Sequence, residues 1–405
     1  MPNKEISPAY KWYLVILGGL TNALVVAVQT MSLSVLLPEI TVDLGLSIFQ
    51  AGLIWGLASL PAIVAFIVAG ILIDRFGPKR ILIFGSLIVG VFGALRGFSN
   101  NYPALIATVV LFGLSYPLIS LANVKNTKIW FDEANMGLAN GFLAVGMALG
   151  FFIGSMVSAS VVSPWLGGWR YTFFFYGLIA ILLVIPWILT HNPPKEADIT
   201  RDGTENHSAL ESIRHIAKIR NIWLLSLAMM CFNGAVQGFL GYLPLYLRNT
   251  GWQAARADGL AATFHLASMI FAIPISFLSD KVRSRRKVLL FTISLTVLGI
   301  GSFFFFGGDI LWAAVIAAGI SRDGIMAVLI TSTLETKGVG RAYSGIATGF
   351  ILIFASIGGL ISPPLGNHLA TLRLNLPFVF WSVLCFGAVL CVFALKEYQK
   401  TTPDE

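Results

Sequence analysis

The chain has 405 residues, of which 57% are hydrophobic and only 11% charged. A soluble globular domain carries about 25% charged residues, so the composition excludes one and indicates an integral membrane protein. The net charge of +8 does not mark a nucleic-acid binder, because the basic residues fall in short clusters between apolar segments, the pattern of topology signals.

The N-terminal stretch MPNKEISPAYKW is polar and runs straight into a long apolar segment. No cleavable signal peptide is expected, and the first helix serves as its own insertion signal. Crossing a ~30 Å hydrocarbon core takes about 20 mostly apolar residues. Spans are predicted near 12–37, 50–73, 80–98, 104–126, 138–162, 171–190, 222–247, 259–279, 288–306, 310–333, 343–365 and 376–396. The stretch 191–221 is the one long hydrophilic segment. It reads as a cytoplasmic linker, with a short amphipathic helix around residues 210–219, between six-helix halves at 1–190 and 222–405. The expected fold is an all-α membrane protein with twelve transmembrane helices in two pseudo-symmetric halves. With both termini cytoplasmic, 21 of the 27 Lys and Arg fall inside and 5 outside (Arg96, Arg170, Arg248, Arg256, Arg373), leaving Arg322 within a span. Cys231, Cys385 and Cys391 lie in apolar segments without ligand spacing. Neither disulfides, metal nor cofactor is expected.

Three landmarks recur 206 residues apart. Leu37-Pro38 in span 1 recurs as Leu243-Pro244 in span 7, Asp74 after span 2 as Asp280 after span 8, and Gly113 in span 4 as Gly319 in span 10. Three coincidences at one offset, in corresponding spans, indicate two homologous halves.

Residues 70–80 read GILIDRFGPKR, in which Gly70, Leu72, Asp74, Arg75, Gly77, Lys79 and Arg80 fit the pattern G-x-L-x-D-R-x-G-x-K/R-K/R. Residues 276–286, SFLSDKVRSRR, form a degraded copy that keeps Asp280, Lys281, Arg285 and Arg286. Gly70 suits close helix approach, Gly77 a tight turn, and Asp74 a charge-assisted hydrogen bond to a neighbouring helix or basic group. The competing reading is a bare positive-inside cluster. This loop, with the repeat and span count, resembles the major facilitator superfamily along the whole chain. The resemblance implies a secondary transporter, usually monomeric, whose loop residues Gly70, Asp74, Arg75, Gly77, Lys79, Arg80, Asp280, Arg285 and Arg286 form a cytoplasmic latch.

The resemblance also implies a central cavity lined by spans 1, 4, 7 and 10. Arg322 and Asp323 sit side by side in span 10, where a charge costs about 2.5–3.5 kcal/mol on insertion scales. A guanidinium stays charged at working pH and matches a carboxylate or similar oxyanion with two prongs. Arg322 is therefore the expected substrate ligand, against a structural ion pair as the competing reading. Adjacent helix positions diverge by about 100°, so Arg322 and Asp323 are expected to hold separate roles, with Asp323 a substrate or proton site. Tyr116 (the counterpart of Arg322 at the repeat offset), Asn233, Gln237, Asn22, Gln29 and His265 complete the candidate set, with Asn123 and Asn126 also in span 4. For the amides the competing role is interhelical glue, and for Tyr116 packing. Lys125, near the end of span 4, is expected to snorkel.

Span 5 lacks the Gly-Pro signature of drug/proton antiporters, HNPPKEAD does not match the sugar-porter motif, and span 1 lacks the acid of monocarboxylate porters. The glycines at 137, 141, 146, 150 and 154 of span 5 are expected to pack at the interface between halves. Residues 128–141, KIWFDEANMGLANG, resemble bacterial anion porters of the cyanate, nitrate and oxalate type. The expectation is a transporter of a small, organic anion, possible as a proton symporter, in a prokaryotic cytoplasmic membrane. Two rivals stand beside it: a transporter of neutral or cationic solutes held by Asp323, and a non-transporting membrane sensor. No nucleotide loop, metal cluster or nucleophile set supports an enzyme.

Overall fold

The computed structural model describes residues 7–191, 209–282 and 284–395, and every regular element among them is helical. Eleven of these helices are long and apolar enough to cross a membrane. They are span 1 (Pro8–Asp43), span 3 (Pro78–Phe98), span 4 (Tyr102–Trp130), span 5 (Asn135–Leu166), span 6 (Trp169–Leu189) and span 7 (Arg220–Asn249). Span 8 (Ala254–Ser279), span 9 (Arg285–Phe305), span 10 (Ile310–Leu334), span 11 (Tyr343–Leu369) and span 12 (Leu376–Phe393) complete them.

Span 2 departs from the expected single run. It forms two shorter helices, Ile48–Leu57 and Leu60–Phe76, that meet at Ala58 and Ser59. Pro61 supplies no N–H to continue the ladder. The break is seated on Gly113 of span 4, where a Cβ would stand 2.8 Å from the Ala58 carbonyl oxygen and 2.7 Å from Pro61 Cγ. The helix ends are set by local chemistry. Ser47 and Gln50 form a reciprocal capping box ahead of span 2, and Asn101 Oδ1 accepts from the Ala104 N–H at 2.9 Å to start span 4. Ser284 Oγ accepts from the Lys287 N–H at 3.3 Å to start span 9.

Two compact units are present, Met1–Ile199 with Gly241–Leu266, and Thr200–Leu240 with Ala267–Glu405. Within the first, spans 1 and 5 meet through small residues. Gly146, Gly150 and Gly154 lie four apart on one helical stripe, and any Cβ on them would collide with the backbone at Gly19, Ala23 and Val28. This corrects the expectation for these three glycines: their partner is span 1 of the same unit. Gly137 and Gly141 have nothing within 4 Å of a Cβ position. The second unit uses the same device between spans 7 and 11, where a Cβ on Gly358 would strike the Met230 carbonyl and one on Gly234 would stand 3.0 Å from the Gly358 carbonyl oxygen. Residues 192–208 of the expected linker lie outside the described residues. Its amphipathic helix is Ala209–Ile216, which packs with Ile222 against Val339 and Ala347, and His215 stacks on Tyr343 at 4.4 Å.

Gly77 joins spans 2 and 3 at φ 81° and ψ 153°, a region open in practice only to glycine. Gly70 has no such constraint: a Cβ there would meet Leu121 at an ordinary 3.8 Å, so the close helix approach expected of it is absent. We expect Gly77→Ala to cost about 1–3 kcal/mol and to lower the melting temperature in detergent, whereas Gly70→Ala should leave it nearly unchanged. Equal losses in the two variants would contradict the assignment of backbone strain to Gly77 alone.

Candidate functional site

The expected single helix of span 10 is broken where its charges lie. One piece, Ile310–Gly319, ends two residues before the next, Arg322–Leu334, begins, so Arg322 and Asp323 occupy the first turn of the second piece. Each neighbour fixes part of this break. Ser321 is hydrogen-bonded through its hydroxyl to Thr296 of span 9. Ser268 of span 8 donates its hydroxyl to Asp323 Oδ2 at 2.6 Å and accepts from the Asp323 N–H at 3.2 Å. Gly324 lets span 10 approach span 8, where a Cβ would stand 2.7 Å from Ile275 Cγ2.

Arg322 Nη1 reaches Asp323 Oδ1 only at 3.5 Å, the outer limit of a hydrogen bond. The adjacent pair thus touch weakly, while the Ser268 bond is short. An acid in the first helical turn also faces the positive end of the peptide dipoles. Ile320 and Ser321 keep right-handed helical torsions, so the interruption is a local distortion of one span, at which the Asp323 N–H turns to Ser268. The arrangement offers a fixed carboxylate and, beside it, a guanidinium whose side chain is 19% exposed.

The first unit holds a fully buried guanidinium that the sequence alone placed as an outer topology residue. Arg96 is 1% exposed. It donates through Nη1 to the Gln29 carbonyl at 2.9 Å, through Nη2 to Gln29 Oε1 at 3.1 Å, and through Nε to the Gly93 carbonyl at 3.2 Å. Its charged carbon lies 4.2 Å from the Phe112 ring centre and 4.5 Å from that of Phe173. The signal for it was the glycines at 93 and 97, three before and one after the arginine. A Cβ at Gly93 would collide with the Gln29 amide, and one at Gly97 would stand 2.6 Å from the Arg170 carbonyl oxygen. Ser268 was missed for a different reason: nothing in the sequence distinguishes it from the many serines of the spans.

The remaining candidates divide between the units. Asn22 and Asn123 are buried and joined at 2.7 Å, with Asn22 Nδ2 on the Leu143 carbonyl at 3.2 Å and Asn123 Nδ2 on the Gly18 carbonyl at 3.1 Å. Asn22 opens the π-helical turn Asn22–Ala27. These amides tie spans 1, 4 and 5 together. Asn126 bonds Trp130 within its own helix. Tyr116 packs its ring between Phe66 at 6.4 Å and Phe112 at 6.2 Å. His265 is 2% exposed and lies 5.5 Å from Phe151. In the second unit Asn233 Nδ2 donates to the Ala355 carbonyl of span 11 at 2.8 Å, and Gln237 lies one turn further along span 7.

The loop residues form separate ties. Asp74 pairs with Lys125 of span 4, which therefore does more than snorkel, and Lys79 Nζ donates to the Thr190 carbonyl. Arg75 lies 5.3 Å from the Phe76 ring centre. In the second unit Arg285 pairs with Glu335 at 3.3 Å and Arg286 donates to the Phe393 carbonyl. The side chain of Asp280 lies outside the described residues.

The Major Facilitator Superfamily model matches residues 19–344 and 251–405. A probable sulfoacetate transporter of Cupriavidus necator is 24% identical over 93% of this chain and 92% of its own length. A probable nitrate/nitrite antiporter of Thermus thermophilus is 26% identical over 79% of this chain and 74% of its own. A probable galactarate/D-glucarate transporter of Bacillus subtilis is 22% identical over 99% and 98%. Among solved structures, an inward-facing, unoccupied bacterial homolog of the human lysosomal transporter Spinster superposes with TM-score 0.77 at 15% identity, covering 96% of this chain and 95% of that one.

The commitment of Gln29 to Arg96 has a measurable consequence. Gln29→Leu removes an acceptor from a buried guanidinium, and such a loss costs about 1–3 kcal/mol or more. A lowered melting temperature is expected in the absence of any ligand. An unchanged melting temperature would return Gln29 to the list of substrate-facing groups.

Proposed function

The chain belongs to the major facilitator superfamily, and from that premise we propose that it carries a small anion across the membrane by alternating access, with Arg322 as the anion's ligand. The observation that carries this reading is the broken span 10, which presents a guanidinium in the first turn of a membrane helix while Ser268 engages the neighbouring carboxylate. A two-pronged guanidinium suits carboxylate, sulfonate and nitrate oxygens alike. The relatives named above support the same class, since each is described as carrying sulfoacetate, nitrate or nitrite, or galactarate or glucarate. In this reading Asn233 and Gln237 of the same unit shape the site, while Gln29 and Asn22 hold the helices of the first unit in register.

The two halves at 1–190 and 222–405 would move against each other, with the pairs Asp74–Lys125 and Arg285–Glu335 as parts of the cytoplasmic latch. The charge count supports both termini on the cytoplasmic side. In the rival reading Asp323, whose side chain is 40% exposed, takes a neutral or cationic solute through the acceptor sites that Ser268 leaves open.

A thermal-shift panel of carboxylates, sulfonates, nitrate and amines separates the two. Ligand at one hundred times its Kd stabilises by about 2.7 kcal/mol. An anion is expected to raise the melting temperature of wild type and of Asp323→Asn, and Arg322→Gln should weaken its binding at least about tenfold, the loss of one charge-assisted bond. Arg322→Lys should recover only part of it, because a point charge does not replace the planar fork. Undiminished anion binding by Arg322→Gln would sink the assignment.

A further inference from the structure

Asp258, near the start of span 8, is 1% exposed, and its Oδ2 has no hydrogen-bond partner among the described residues. A charged oxygen left buried and unpaired is costly, and a neutral carboxyl far less so. The groups that face Asp258 come from four other helices, all within the first unit. They are Ser160 of span 5, Glu39 of span 1, Arg248 of span 7 and Tyr176 of span 6. Arg248 acts on both acids across space, with no ion pair to either among the described residues.

Ser160 is well made for a carboxyl that gains and loses a proton. Its hydroxyl and peptide N–H both face Asp258. The same hydroxyl also lies 2.7 Å from the Met156 carbonyl. It has one hydrogen for these two acceptors. When that hydrogen points to Met156, the hydroxyl oxygen is open to accept from a protonated Asp258. Ser160 also lies in a π-helical turn, Ser158–Val162, a distortion frequent at functional sites.

Glu39, the other acid that acts on Asp258, stands at the edge of solvent. It lines an open cavity of about 630 Å³ with Pro38, Arg170 and Arg248, and its Oε2 accepts from Ser163 Oγ at 2.6 Å. Asp43, on the same cavity wall, is occupied by Arg170 and Trp169.

We propose that Asp258 is a proton-binding site, loaded from the cavity through Glu39. A hydronium ion in the cavity gives its proton to the Glu39 carboxylate and becomes water. The Glu39 O–H then breaks as an O–H forms on Asp258 Oδ2, and Glu39 returns to its charged form near Arg248. Two acids sharing one cation favour holding a single proton between them. The use of this site in coupling rests on the transport reading above; its existence does not.

The test is an infrared pH titration of the detergent-purified full chain without added anion, following the C=O band of protonated carboxyl groups. A band is expected that shifts when aspartate is supplied with a ¹³C-labelled carboxyl, persists in Asp323→Asn and vanishes in Asp258→Asn. In Glu39→Gln the band should form at least tenfold more slowly after a pH jump. A band that survives Asp258→Asn, or that vanishes in Asp323→Asn instead, overturns the proposal. Should Asp258→Asn fail to fold, the labelled wild type and labelled Asp323→Asn decide it. A label-sensitive band in both, slowed by Glu39→Gln, supports the site, and its absence from either removes it. Because no anion is present, failure of the Arg322 assignment leaves this outcome untouched.

Discussion

Inside a bilayer a polar group has only protein to bond to, and that constraint organises this molecule. Arg96 meets it with three neutral oxygens and two aromatic faces. The Asn22–Asn123 pair meets it with the backbone carbonyls of Gly18 in span 1 and Leu143 in span 5. Asp323 meets it with a serine from the next span. In each case the polar residue is also a helix–helix joint, because its partner lies on another span. Arg322 lies beside Asp323 in the same helical turn, with Nη1 3.5 Å from the Asp323 carboxylate.

Close packing supplies the second half of the frame. Helices in lipid gain little from burying apolar surface against one another, so small residues that admit backbone contact decide which spans adhere. Spans 1 and 5 do so through the stripe at 146, 150 and 154, and spans 7 and 11 through 234 and 358. These pairs occupy corresponding places in the repeat, although the glycines themselves do not recur at the 206-residue offset. The offset survives instead at Pro38 and Pro244, each inside a long helix. The packing solution is shared between the units more closely than the residues that achieve it.

Much of the fold was legible because length and hydropathy are strong signals for membrane helices. The ordered glycines and charges of residues 70–80 also have few explanations, and Gly77 indeed takes a glycine-only conformation. The breaks were not legible. Spans 2 and 10 each read as one apolar run, since hydropathy averages over the two residues at which a helix stops. Arg96 was misplaced for a related reason: a charge count sees an arginine near the end of a span and cannot see that two phenylalanines and a glutamine enclose it. The amides of spans 1 and 4 were found as polar residues, but their choice between glue and ligand depended on distances that no sequence contains.

The acids near the start of span 8 and within span 10 invite different uses because their surroundings differ. Asp323 is held on one side by Ser268 and touched on the other by Arg322, so its charge already has partners. Asp258 has an oxygen without a hydrogen-bond partner among the described residues, a serine hydroxyl facing it, and a second acid nearby that lines an open cavity. A transporter of anions gains from keeping these functions apart. Moving one negative charge inward against an interior-negative potential costs about 2.3 kcal/mol per 100 mV. A proton that crosses with the anion cancels that cost, provided it does not neutralise the group that binds the anion. An arginine cannot be neutralised at working pH, so the proton has to sit on a different residue. A buried acid outside the broken span 10 satisfies that requirement, and Asp323, in contact with the proposed anion ligand, satisfies it less well.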